Sequence, residues 1–87
     1  MNYEIHLDRR PENYLRRLDR RMQGRIHRRL RQIAEDPYDP RTRQLTNAEG
    51  LRAARVGDWR ILFFVSEAPH IVQVVDIGPR GQIYRNL

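Results

Sequence analysis

The dipeptide Gly57-Asp58, set between two apolar runs, limits more than any other feature how this chain can fold. A Gly-Asp pair between β-forming flanks signals a two-residue hairpin, and a loop of that length in type I′ or II′ geometry fixes which residues face each other. Within the stretch Gly50 to Phe64 the pairing becomes Val56 with Trp59, Arg55 with Arg60 and Ala54 with Ile61. Side chains alternate across a strand, so Ala54, Val56, Trp59, Ile61 and Phe63 share one face while Arg55 and Arg60 share the other. The first set is apolar and is expected to face the core. The second puts two guanidinium groups directly opposite each other, which destabilises a sheet unless something negative stands between them. The hairpin therefore predicts a site for an anion. The purely structural alternative is an ion pair from Arg60 to Asp58, Asp76 or Glu4.

The remainder of the chain supplies what the apolar face packs against. Tyr3 to Leu7 alternates as a short half-buried strand. Asp8 is placed to cap a helix from Arg9 to Leu18, with Pro11 tolerated in its first turn. Asp19 is placed to cap a second helix ending at Glu35, in which Met22, Ile26, Leu30 and Ile33 recur at intervals of three and four. Asp36-Pro37 stops that helix. Pro37 to Glu49 reads as a surface loop, followed by strands from Leu51 to Val56 and from Trp59 to Val65. Ser66 to His70 reads as a turn. Ile71 to Ile77 is rich in β-branched residues and reads as a strand buried on both sides for part of its length, broken by Gly78-Pro79. Gln82 to Tyr84 is a candidate last short strand. The order β-α-α-β-β-β predicts one α+β domain over residues 1–87. A two-helix hairpin covers one face of a small, largely antiparallel sheet of four to five strands, and the face bearing Arg55 and Arg60 is left open.

Charge narrows the class of partner. The chain has 17 basic residues against 11 acidic, a net charge of +6, and it contains no lysine, so every basic residue is arginine. Codon bias accounts for a preference of arginine over lysine but not for the excess positive charge. Arginine grips phosphate bidentately and stacks on bases, which suits nucleic acid or an acidic protein. With no cysteine there is neither a disulfide frame nor a thiolate metal site. No apolar run approaches the roughly 20 residues of a membrane span, and the first residues lack the form of a signal peptide. A soluble, cytoplasmic protein is expected. His6, His27 and His70 lie at no metal-ligand spacing, so no metal is expected. The arginines at 20, 21, 25, 28, 29 and 31 of the second helix read as a solvated face that could also lie along RNA.

The run "GLRAARVGDWRILFF" from Gly50 and the later "VVDIGPRGQIYR" from Val74 resemble the RelE/ParE superfamily of toxins, and more closely its RelE branch. The two-helix opening, the Asp-Pro after the second helix and "RQLTNAEGL" from Arg43 extend the resemblance over nearly the whole chain. It implies a RelE-like fold and the toxin of a type II toxin–antitoxin pair. Such a toxin would be a metal-independent endoribonuclease, without a cofactor, that cuts messenger RNA in the ribosome and inhibits translation. Its implied partners are a cognate antitoxin, the ribosome and mRNA, with promoter DNA reached only through the antitoxin. The alternatives on the same scaffold are a ParE-like inhibitor of DNA gyrase and a catalytically weak member that binds its antitoxin.

Carried over by position, Arg60, Arg80 and Tyr84 match the family's catalytic arginines and tyrosine, and Arg55 the basic position before the turn. Arg52 and Arg85 are further candidate RNA contacts, Arg52 from the opposite side of its strand. Two positions depart from the family pattern. Ala53 stands where many relatives carry a second basic residue, and Pro79 where relatives often carry histidine. In cleavage by a neighbouring 2′-hydroxyl, Arg60 and Arg80 would stabilise the charge that develops at phosphorus. Tyr84 would stack a base or move a proton, the latter only if the arginines lower its phenol pKa from about 10.

Overall fold

In a computed structural model, which describes residues 2–46 and 48–79, the Gly57-Asp58 turn has the geometry its sequence requires. Gly57 takes φ +57° while no described residue other than glycine has a positive φ, the signature of a type II′ loop. The register follows: Val56 faces Trp59, Arg55 faces Arg60 and Ala54 faces Ile61.

The element order is β1 (Glu4–Leu7), α1 (Arg9–Arg17), α2 (Arg20–Glu35), β2 (Thr42–Gln44), β3 (Arg52–Val56), β4 (Trp59–Glu67) and β5 (His70–Pro79). The strands form one sheet in the order β1-β5-β4-β3-β2, antiparallel except for the parallel pair β1–β5. Two helices on a five-stranded, mostly antiparallel sheet is the architecture expected from the sequence. Among the described residues no helix is long and apolar enough to cross a membrane.

Asp19 caps α2 through a 2.8 Å hydrogen bond that its carboxylate accepts from the Met22 N–H. Asp8 precedes α1, but its side chain makes no cap and accepts instead from Gln73 Nε2. The apolar stripes of the helices, Leu15, Ile26, Leu30 and Ile33, pack on Ala54, Val56, Ile61, Phe63, Val72, Val74 and Ile77. This is the core that the hairpin parity predicts, and Phe63 at its centre has no exposure at all. Trp59 packs against the same cluster and donates its indole N–H to the Tyr14 hydroxyl at 2.9 Å.

Four details differ from the sequence reading. The loop after α2 contains a three-residue strand, β2, which pairs with β3 from Thr42↔Ala54 to Gln44↔Arg52. The opposite face of the sheet is only partly open, because Leu45, Ala48 and Leu51 fold over Ala53, Leu62 and Val75 in a second small cluster. The turn between β4 and β5 is shorter than expected, so β4 continues to Glu67 and β5 begins at His70. Finally, β5 runs through Gly78 and Pro79, which pair with Arg60 and Trp59. The pairing of β1 ends at Val74, so among the described residues Pro79 has β4 as its only strand neighbour, an edge position that tolerates a residue without an N–H. A register shift between Leu62 and Phe63 leaves Val75 as an extra residue in β5. Alternation turns Val75 to the second cluster, burying the strand on both sides, and the bulge is what keeps Ile77, three residues after Val74, on the same side as Val74 in the first.

Candidate functional site

The hairpin holds Arg55 and Arg60 opposite each other on the face away from the helices. Arg55 Nε donates to the Gly57 carbonyl oxygen at 3.0 Å. Arg60 Nη1 donates to the same oxygen at 3.4 Å and to the Trp59 carbonyl at 3.1 Å. The turn carbonyl thus draws both guanidinium groups toward one point. A neutral oxygen does not cancel two positive charges, and a guanidinium has five N–H donors, so most remain available. Among the described residues the ion pairs are Glu4–His6, Glu12–Arg16, Asp39–Arg41 and Glu67–His70, and none involves Arg55 or Arg60. Asp76 turns its carboxylate to its neighbour's N–H, accepting from Ile77 at 3.0 Å. Directly across from Arg60 on β5 stands Gly78, which leaves space beside the guanidinium.

Arg52 does not join this pair. It lies on the helix-facing side of β3, where Nε donates to the Pro37 carbonyl at 3.2 Å and Nη2 to Thr42 Oγ1 at 2.7 Å. Its guanidinium also lies 5.3 Å from the Tyr38 ring centre. These contacts fasten the loop after α2 to the sheet. Arg80, Tyr84 and Arg85, the other expected site residues, lie outside the described residues. Ala53 is buried beneath the second cluster, so a longer basic side chain at that position would displace Leu45 or Leu62.

Sequence reasoning put the arginines of α2 on a solvated face that could lie along RNA, and missed that some of them stand beside Arg55. A shallow groove of about 180 Å³ runs between α2 and the turn end of β3, lined by Arg25, Arg28, Arg29, Gln32, Arg55 and Val56. Arg25 packs against the turn so closely that a Cβ on Gly57 would lie 2.9 Å from its Nη2. Arg29 is 7% exposed; Nη1 donates to Gln32 Oε1 at 3.0 Å, but Nη2 is buried without a partner. Burial, and secondarily the Arg41 charge, push the Arg29 guanidinium below its usual pKa. The helical spacing of 25, 28, 29 and 32 was the available signal; taken as a solvated face, it hid that one of these residues is buried.

Solved structures share this fold. The chain superposes on the RelE toxin of the archaeal RelE–RelB complex from Pyrococcus horikoshii OT3 with a TM-score of 0.78 at 22% identity, covering 94% of this chain and 99% of that one. For the RelBE2 toxin–antitoxin complex of Mycobacterium tuberculosis the TM-score is 0.79 at 18% identity, with 92% and 100% covered. For the isolated E. coli RelE toxin it is 0.78 at 18%, with 97% and 93% covered. These likenesses show that the fold is the one RelE toxins adopt. The sequence itself matches the family described as ParE toxin of type II toxin–antitoxin system, parDE, over residues 5–84, and the chain belongs to that family. A search of curated proteins found no match.

Proposed function

We propose that this type II toxin is a ribosome-dependent endoribonuclease that cleaves messenger RNA, and that a cognate antitoxin holds it inactive in the cytoplasm. The observation that carries the reading is the Arg55–Arg60 pair, two guanidinium groups drawn to one carbonyl with no described carboxylate paired to either. The chemistry is attack of a 2′-hydroxyl on the adjacent phosphorus. The hydroxyl loses its proton, a 2′,3′-cyclic phosphate forms, and the 5′-oxygen leaves and takes up a proton. Arg60 and Arg80 neutralise charge on the non-bridging oxygens, Arg55 orients the phosphate, and Tyr84 stacks a base or transfers a proton. Arginine does not deprotonate usefully, so proton transfer falls to Tyr84 or to groups of the ribosome, which also supplies the in-line geometry. The same residues need neither metal nor cofactor. RelE toxins solved with RelB support an antitoxin as the partner, through which promoter DNA would be reached.

Induced expression in a bacterial host tests this. Translation should stop, with cuts inside codons of translated messages, and Arg60→Ala should abolish both. A DNA-damage response with filamentation would favour gyrase as the target instead, a reading supported by the match to the ParE family and by Ala53 in place of a second basic residue. Harmless expression would leave only antitoxin binding.

A further inference from the structure

We propose that the groove between α2 and the turn end of β3 is a second RNA-backbone site, in which Arg25 and Arg28 hold phosphates of the strand that passes Arg55 and Arg60. The inference rests on the RNA-cleaving reading above and adds a path for the substrate to it. Three observations carry it. Arg55 belongs to both places: it pairs with Arg60 across the hairpin and lines the groove with Arg25, Arg28 and Arg29. Four arginines line the groove, and among the described residues none of them is ion-paired. Arg29, which also lines the groove, is buried with Nη2 unpartnered, so no described side chain offsets the positive charge beside Arg25 and Arg28 with a hydrogen bond to that atom.

The arrangement favours a nucleic-acid strand over an acidic protein segment. At 100° per residue, Arg21, Arg25, Arg28 and Gln32 fall on one side of α2 and form a stripe that leads into the groove. A row of cations along a groove suits a backbone that carries one charge per nucleotide at regular spacing. The pair β2–β3 ends at Ala54, so among the described residues no further strand covers the edge beside Arg55 and Val56.

The experiment measures binding of short fluorescein-labelled oligouridylates to the full chain as salt is raised. The Arg25→Gln/Arg28→Gln variant should bind more weakly, with a salt slope shallower by about 1.4, that is about 0.7 for each single-strand phosphate no longer neutralised. Arg20→Gln/Arg31→Gln, which removes the same charge from a flank of α2 outside the groove, should change the slope far less. An unchanged slope in the groove variant overturns the proposal, and so does an equal fall in the control, which would reduce the effect to bulk charge. Arg29→Met should melt at a higher temperature and still bind RNA less well, so a folding defect does not mimic the result. A groove variant that keeps RNA affinity yet no longer binds a labelled polyglutamate probe assigns the groove to an acidic protein and also overturns it. Growth arrest scored in parallel with Arg60→Ala separates the two readings: arrest that survives Arg60→Ala removes the proposed reaction, while a shifted salt slope in the groove variant stands independently.

Discussion

The carbonyl oxygen of Gly57 accepts from both Arg55 and Arg60, and its α-carbon lies under the Arg25 guanidinium. Gly57→Ala would place a side chain on a backbone at φ +57°, at a cost of about 1–2 kcal/mol, and would also push Arg25 aside. Chemical denaturation should register that destabilisation, and the salt slope of RNA binding should fall with it. Arg60→Ala separates function from stability. We expect an activity loss of about 10²–10³, the scale of one missing charge-stabilising donor, with a stability change below about 1 kcal/mol. Arg29→Met works in the other direction. Removing a buried donor without a partner should raise stability by about 1 kcal/mol, read from the denaturation midpoint. The burial of Arg29 was open to sequence reasoning, since it stands three residues after Ile26 and four before Ile33, on the flank of the apolar stripe. What hid it was its chemistry, because a charged residue is assigned to solvent by default.

Among the elements, the hairpin was legible because loop length and alternation act together: a two-residue turn leaves one register, and parity does the rest. β2 was not, because Thr42-Arg43-Gln44 has no apolar alternation and becomes a strand only when the edge of β3 recruits it. The long β4–β5 hairpin hid its end for a different reason. Gly78 and Pro79 are strand breakers in general, and they are acceptable here because β1 stops pairing with β5 before reaching them. The far end of that hairpin carries a clasp that no sequence pattern announced. Glu67 accepts from the Tyr3 hydroxyl at 2.8 Å and from the Tyr38 hydroxyl, with His70 at 3.6 Å, and so ties the first strand's approach and the loop after α2 to the β4–β5 turn. The tyrosine hydrogen bonds hold the Glu67 carboxyl below its usual range. A depressed carboxyl pKa contributes stability above its unfolded value of about 4.3, lost as pH falls through the native one. The Tyr38 phenol, pushed up to about 12 by its bond to Glu67, contributes below its unfolded value of about 10 and loses that as pH rises toward 12. Melting temperatures should therefore decline on both limbs, and Glu67→Gln should flatten the acid limb. The groups are exposed, so added salt should shrink the difference.

For the whole molecule, one layer of helix side chains against one face of a sheet provides most of the core, and Phe63 sits at its centre. Phe63→Ala should cost about 3–5 kcal/mol, a large share of the stability of a domain this size, and calorimetry should show it partly unfolded at ordinary temperature. The second cluster is too small to compensate. The parallel pair β1–β5 has a different consequence. Among the described residues, 4–7 find their only strand partner at 71–74, so the sheet cannot close until nearly all of the described chain has been made. A nascent copy must hold its first strand unmatched until residues 71–74 have emerged, and whatever the folded sheet does is deferred to that moment.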